Sequence, residues 1–139
     1  MGIIINNIFW IAFFGVIILI YLIRLMSGKP YFLRSNYQKS IEVIEVLNTE
    51  QLLRKVMEKA GVNNINFHQK ENKFTGKVGF SMSSWSEYIE VKVLRSNGKL
   101  VIDFKSVCAF PYQIFDWGKN KSNFKKFEAE LHQVLNNLK

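Results

Sequence analysis

From Ile8 to Ile23 every residue is apolar, Gly or Tyr, and Ile3 to Ile5 extend the run beyond the Asn6-Asn7 pair. About 20 residues at 1.5 Å rise cover the roughly 30 Å hydrocarbon core of a bilayer. Residues 1–26 are therefore expected to form a single transmembrane helix. No Lys or Arg precedes the run, and Arg24-Leu25-Met26-Ser27-Gly28-Lys29 offers no small-x-small cleavage site, so it reads as a retained anchor. Arg24, Lys29, Arg34 and Lys39 follow it with no acid before Glu42, and the positive-inside rule assigns that side to the cytoplasm. The expected localisation is the cell membrane, single-pass, with the N-terminus outside and the domain cytoplasmic.

Other features of the run are ordinary for such a helix. Trp10 and Tyr21 read as interfacial anchors near its two ends. Gly15 has Ile11 and Leu19 four residues away, so no small-xxx-small pairing face forms. Asn6 stands where a myristoylation signal needs Ser or Thr. Residues 27–40, with Gly28, Pro30 and aromatics mixed among cations, read as a basic-aromatic juxtamembrane tether.

Residues 41–139 are enough for one domain with a single core. Cys108 is the only cysteine, which excludes an internal disulfide framework and fits a reducing compartment. The net charge is +8, but four of the 19 basic residues precede Ile41, and the remaining 15 face all 11 acids, leaving the domain at +4. That balance argues against nucleic acid as a partner. An anionic lipid surface is a simpler attractor for the tether.

The domain's elements follow from its hydrophobic periods. Ile41 to Leu47 is β-branched and reads as a strand. Asn48-Thr49-Glu50-Gln51 has the form of a capping box, with Leu52, Leu53, Val56, Met57 and Ala60 on one helical face and Gly61 closing it. Four strands follow: Ile65 and Phe67; Phe74, Gly76, Val78, Phe80 and Met82; Ile89, Val91 and Val93; Leu100, Ile102 and Phe104. Each shows the period of two, and Ser96-Asn97-Gly98-Lys99 is a type I′ hairpin turn. Phe124, Phe127, Leu131, Val134 and Leu138 make a second amphipathic helix, with Leu135 widening its stripe. The expected fold class is α+β: a transmembrane helix, then a two-layer domain ordered strand, helix, four strands, helix, with both helices on one face of an antiparallel sheet.

No catalytic constellation is present. His68, His132 and Cys108 lack metal-ligand spacing, no Gly-rich phosphate loop precedes a helix, and no cofactor is implied. Glu87, Glu90, Asp103 and Asp116 read first as solvated or ion-paired acids on a basic domain, and alternatively as acids that meet in space as a carboxylate pair. Two segments stand out. Phe110-Pro111-Tyr112-Gln113-Ile114-Phe115-Asp116-Trp117-Gly118 is an apolar connection, read first as a loop that finishes the core and alternatively as an exposed contact surface. Lys119, Lys121, Lys125 and Lys126 crowd the start of the last helix without an acid, a candidate partner- or anion-binding cluster. Trp85, Phe110, Tyr112, Asp116 and Trp117 are the candidate contact or pocket residues.

These segments carry a family resemblance. Phe80-Ser81-Met82 through Trp85-Ser86-Glu87, a strand ending in Lys105-Ser106, and Asp116-Trp117-Gly118-Lys119-Asn120-Lys121 resemble an uncharacterised family of small bacterial α+β domains. In that family a serine-bearing strand leads to an Asp-x-Gly-x-Asn turn and a terminal helix. Its members often carry Arg after the serine strand and within the last helix, where this chain has Cys108 and Lys121 or Lys125. The resemblance implies the fold class and no activity.

Together these features point to a membrane-anchored cytoplasmic binding module, an accessory subunit with a protein partner in a larger membrane assembly. The alternative is a small enzyme or ligand carrier, with a pocket between sheet and helices lined by Asp116, Lys119 and Trp85. A cavity of several hundred Å³ in that interface would favour the alternative, and a filled interface the module.

Overall fold

The computed structural model describes residues 2–26, 35–44, 46–79, 86–110, 113 and 116–137. Its contacts fall into two units, Met1–Leu33 and Arg34–Lys139.

The first unit contains helix α1 (Gly2–Met26). Ile8, Ile11, Val16, Leu19 and Ile23 are exposed, and the rings of Trp10, Phe13 and Phe14 lie 5.7–6.1 Å apart. Among the described residues no helix is long and apolar enough to cross a membrane. This corrects the expected transmembrane helix, and with it the single-pass localisation at the cell membrane and the N-terminus-outside orientation. The Tyr21 side chain and residues 27–34 of the expected tether lie outside the described residues.

In the second unit the chain runs β1 (Asn36–Ile44), α2 (Thr49–Lys59), β2 (Val62–His68), β3 (Lys73–Val78), β4 (Glu87–Ser96), β5 (Lys99–Cys108) and α3 (Lys119–Asn136). The strands form one antiparallel sheet in the order β1-β5-β4-β3-β2. Four antiparallel steps separate the edge strands, so β1 and β2 run parallel and α2 carries the chain from one edge to the other. The strand at Ile41 starts earlier than its composition suggests. Asn36 to Ser40 pair with Val107 to Asp103, so the ladder recruits polar residues read as tether.

Local chemistry explains most boundaries. At Asn97-Gly98 φ is 50° and 73°, the two positive values a type I′ hairpin requires. Gly61 closes α2 at φ 85°. The capping box does not form. Asn48 takes φ 58° with no side-chain cap, and Thr49 Oγ1 instead donates to the Val46 carbonyl at 2.8 Å. Between β2 and β3 a register shift at Asn63–Asn66 bulges the edge.

Both helices of this unit pack on one sheet face. Phe74, Ile89, Val91, Leu100, Ile102 and Phe104 meet Leu53, Val56 and Met57 from α2 and Phe124, Phe127 and Leu131 from α3, all buried. Phe104 lies 5.5 Å from Phe124 and 5.0 Å from Phe127 between ring centroids. Aromatic pairs at such distances add about 0.5–1.5 kcal/mol beyond the area they bury. Tyr88 and Leu94, on the opposite sheet face, are exposed.

Candidate functional site

The start of α3 is built by Asp116. Its Oδ2 accepts the Asn120 amide at 2.7 Å, its Oδ1 accepts the Gly118 amide at 3.2 Å, and its carbonyl accepts the Lys119 amide at 2.8 Å. Gly118 at φ 78° lets the chain turn into the helix. Asp116 is therefore a cap, and its carboxylate offsets the cost of lysines beside the positive end of the helix dipole. The amides of Gly118, Lys119 and Asn120 are therefore already engaged by Asp116 and are not available to an anion.

Those lysines do not form one cluster. At about 100° per residue, Lys119 and Lys126 share one side of α3 and Lys121 and Lys125 another. Lys119 is half-buried and the other three are exposed. Among the described residues none of the four has an ion pair, whereas Lys39 reaches Glu128 at 3.8 Å and Lys59 reaches Glu130 at 3.9 Å. Immediately before them Trp117 is 87% exposed at φ 49°. Phe110, at the other end of the connection, is also exposed. The two described aromatics of the 110–117 segment are thus exposed at its ends, and residues 111–112 and 114–115 lie outside the described residues. Trp85 and Tyr112 lie outside the described residues.

A second constellation was not anticipated. Glu87, Ser106, Cys108, Asn120 and Asn123 are all buried. The Ser106 hydroxyl donates to Asn120 Oδ1 at 2.6 Å, and Asn123 Nδ2 donates to Ser106 Oγ at 3.2 Å and to Glu87 Oε2 at 3.3 Å. Asn120 Nδ2 donates to the Ser35 carbonyl at 3.0 Å and to Cys108 Sγ at 3.4 Å. Glu87 Oε1 is buried without a hydrogen-bond partner. The sequence held a signal for this group. Glu87 is in phase with Ile89, Val91 and Val93, while Ser106 and Cys108 are in phase with Leu100, Ile102 and Phe104. Asn120 and Asn123 fall on the helical face of Phe124 and Phe127. Register sets Glu87 opposite Cys108 and Ile89 opposite Ser106. The group includes the serine of the Lys105-Ser106 strand end and the Asn of the Asp-x-Gly-x-Asn turn.

Elsewhere the chemistry is sparse. His68 Nε2 shares a 3.0 Å hydrogen bond with Thr75 Oγ1, and His132 is exposed. No group of three His, Cys, Asp or Glu side chains that could hold a metal exists among the described residues. A hollow of about 160 Å³ lies over Thr75, Tyr88, Glu90, Lys105 and Val107 on the sheet face opposite the helices. No family model matches the chain, and no curated protein is similar to it.

Proposed function

We propose that the chain is a binding module that engages an acidic protein partner through Trp117 and the lysines of the first turns of α3. Trp117 carries the reading. The left-handed conformation costs a residue with a Cβ about 1–2 kcal/mol. Every other described non-glycine at positive φ is an asparagine: Asn48, Asn64, Asn72 and Asn97. Asparagine tolerates that conformation through its short polar side chain. A tryptophan there strains the backbone while covering almost nothing of its own fold. Trp is the side chain most enriched at binding hot spots, because a partner supplies the burial. The neighbouring lysines, without ion pairs among the described residues, favour an acidic complement.

The enzyme or carrier alternative has less support. Buried residues of α2, α3 and the sheet fill the interface where its pocket would lie. The described hollow is on the other face and below the 300 Å³ or so where ligand pockets begin.

The test is photo-crosslinking from position 117 of the full chain in intact cells, with exposed Gln133 as the control position. A discrete protein adduct from 117, absent from 133 and weakened by Lys119→Gln with Lys121→Gln, is expected. Equal labelling from both positions rejects the reading. Adducts with lipid alone would transfer the contact to an anionic lipid surface.

A further inference from the structure

The two edges of the sheet are built differently. Edge strand β2 carries a register shift between Asn63 and Asn66 and a left-handed Asn64 at φ 53°, irregularities that spoil an edge for further pairing. β1 has neither. Its nine residues pair with β5 in one unbroken register and include no Gly or Pro. Among the described residues no strand lies beyond it. An exposed lysine often guards such an edge. The one lysine of β1, Lys39, is drawn over α3 instead, 5.0 Å from the Phe124 ring centroid and 3.8 Å from Glu128.

The β5 ladder decides which backbone groups face outward. The Ser35 carbonyl accepts the Cys108 amide at 3.0 Å, and antiparallel pairing alternates along the strand. The odd residues of β1 therefore turn their amides and carbonyls toward β5, and Gln38, Ser40, Glu42 and Ile44 turn theirs to the edge. The side chains of these even residues are exposed, whereas Tyr37, Ile41 and Val43 pack on the core.

Charge selects the occupant of this edge. Lys39 and Glu42 are the only charged residues of β1 and they cancel, so the strand favours neither an acidic nor a basic partner strand. A second copy meets it about a two-fold axis normal to the sheet. Opposed side chains then share a face, which places the axis at a residue. At Lys39 or at Glu42 it would set like charges directly opposite, which is destabilising. At Ser40 it sets Gln38 of each copy opposite Glu42 of the other, an amide donor against a carboxylate, and opposes no like charges. Ser40 is also the midpoint of Asn36–Ile44, so this register pairs the strand over its whole length.

We infer that β1 is a homodimer interface, in which two copies of the chain pair antiparallel about Ser40. Their sheets join into one, with the helices that cover each sheet on the same face. The inference is independent of the contact at Trp117.

Two substitutions at Ser40, an exposed position, test it on the full chain. Ser40→Lys sets two ammonium groups opposite each other at the axis and leaves the β5 ladder intact. Sedimentation analysis is expected to find a dimer in wild type and at least tenfold weaker association in Ser40→Lys, with the same circular dichroism. A monomeric wild type, or association that Ser40→Lys leaves unchanged, overturns the inference. Ser40→Cys reads the register. Residues paired across antiparallel strands have Cα atoms about 4.5–5.5 Å apart, within the disulfide range. In this register Gln38 of one copy lies four residues from Gln38 of the other, about 13 Å along the strands. Mild oxidation in a cell extract should therefore give a disulfide-linked homodimer from Ser40→Cys and little from Gln38→Cys. Equal yields from the two positions, or a mixed disulfide of Ser40→Cys with a different protein in place of the homodimer, overturns the pairing of copies.

Discussion

The Ser106 hydroxyl donates to the Asn120 side-chain carbonyl at 2.6 Å, out of solvent, and ties the end of β5 to the first turn of α3. Because Ser106 Oγ also accepts from Asn123, one hydroxyl joins two turns of the helix to the sheet. Ser106→Ala strands an acceptor on Asn120 and a donor on Asn123. The expected cost is about 1–3 kcal/mol, the range for leaving a buried polar group unsatisfied. Ser106→Ala and Asn120→Ala should be non-additive, the double variant costing less than the two singles together. Urea unfolding of the three variants measures this, and strict additivity would dissolve the network.

Gly76 is required by packing rather than by its backbone angles. A Cβ at this position would run into the Val62 Cγ1 methyl and sit 3.1 Å from the Asn63 carbonyl oxygen. Val62 is buried and β-branched, so it cannot swing away freely. Gly76→Ala should destabilise by about 1–3 kcal/mol, as overpacked cores do. Adding Val62→Ala should recover part of that loss, although the carbonyl contact remains. An unfolding series that shows no recovery would place the strain at Asn63 alone.

Glu71 and Lys73 form an exposed ion pair beside the β2–β3 turn. The hydrogen bond from Lys73, and then its charge, hold the Glu71 carboxyl below its usual value, while the hydrogen bond to Glu71 raises the Lys73 ammonium above its own. The signs are opposite. The Glu71 contribution is present above the unfolded carboxyl value and disappears as pH falls through the lowered folded value. The Lys73 contribution is present below the unfolded ammonium value and disappears as pH rises through the raised one. Glu71→Gln should therefore differ from wild type in melting temperature near neutrality and converge with it in acid, and added salt should shrink the gap. A gap that persists in strong acid would assign the effect to side-chain shape.

How much of this was readable depends on whether a residue's conformation is local. Asn97-Gly98 fixes its own turn, and Phe124, Phe127 and Leu131 mark the buried face of α3 by spacing alone. Asn36 to Ser40 are strand only because β5 pairs with them, so composition misses them. Asn48 carries the right side chain for a cap but takes a left-handed backbone that turns it away. Glu87 was legible in phase and illegible in meaning. A charged residue in step with Ile89, Val91 and Val93 reads as a solvated or ion-paired acid, and it is instead buried, with Asn123 brought to it from α3. The apolar composition of α1 was plain, but composition supplied the helix and not the crossing of a membrane. Phe110 and Trp117, at the described ends of the aromatic run, are exposed, which apolar composition alone does not foretell, because exposure depends on which way the chain enters α3.

Trp117 allows binding and folding to be separated in one substitution. Asparagine already occupies the other four described non-glycine positions with positive φ, so Trp117→Asn should relieve the left-handed strain. With 87% of the residue exposed, little packing is lost in exchange. Trp117→Asn is expected to stabilise the chain by up to about 1 kcal/mol, a gain that glycine would partly forfeit through the entropy of its unfolded state. The same substitution removes the aromatic contact, so affinity for the acidic partner should fall at least tenfold, the ratio that corresponds to about 1.4 kcal/mol. Unfolding curves and crosslinking yield, measured on one preparation, read both effects. A variant that is more stable and binds less well marks Trp117 as a residue held for contact. A variant that is less stable, with binding unchanged, would make the exposed indole part of the fold and remove the basis of the binding reading.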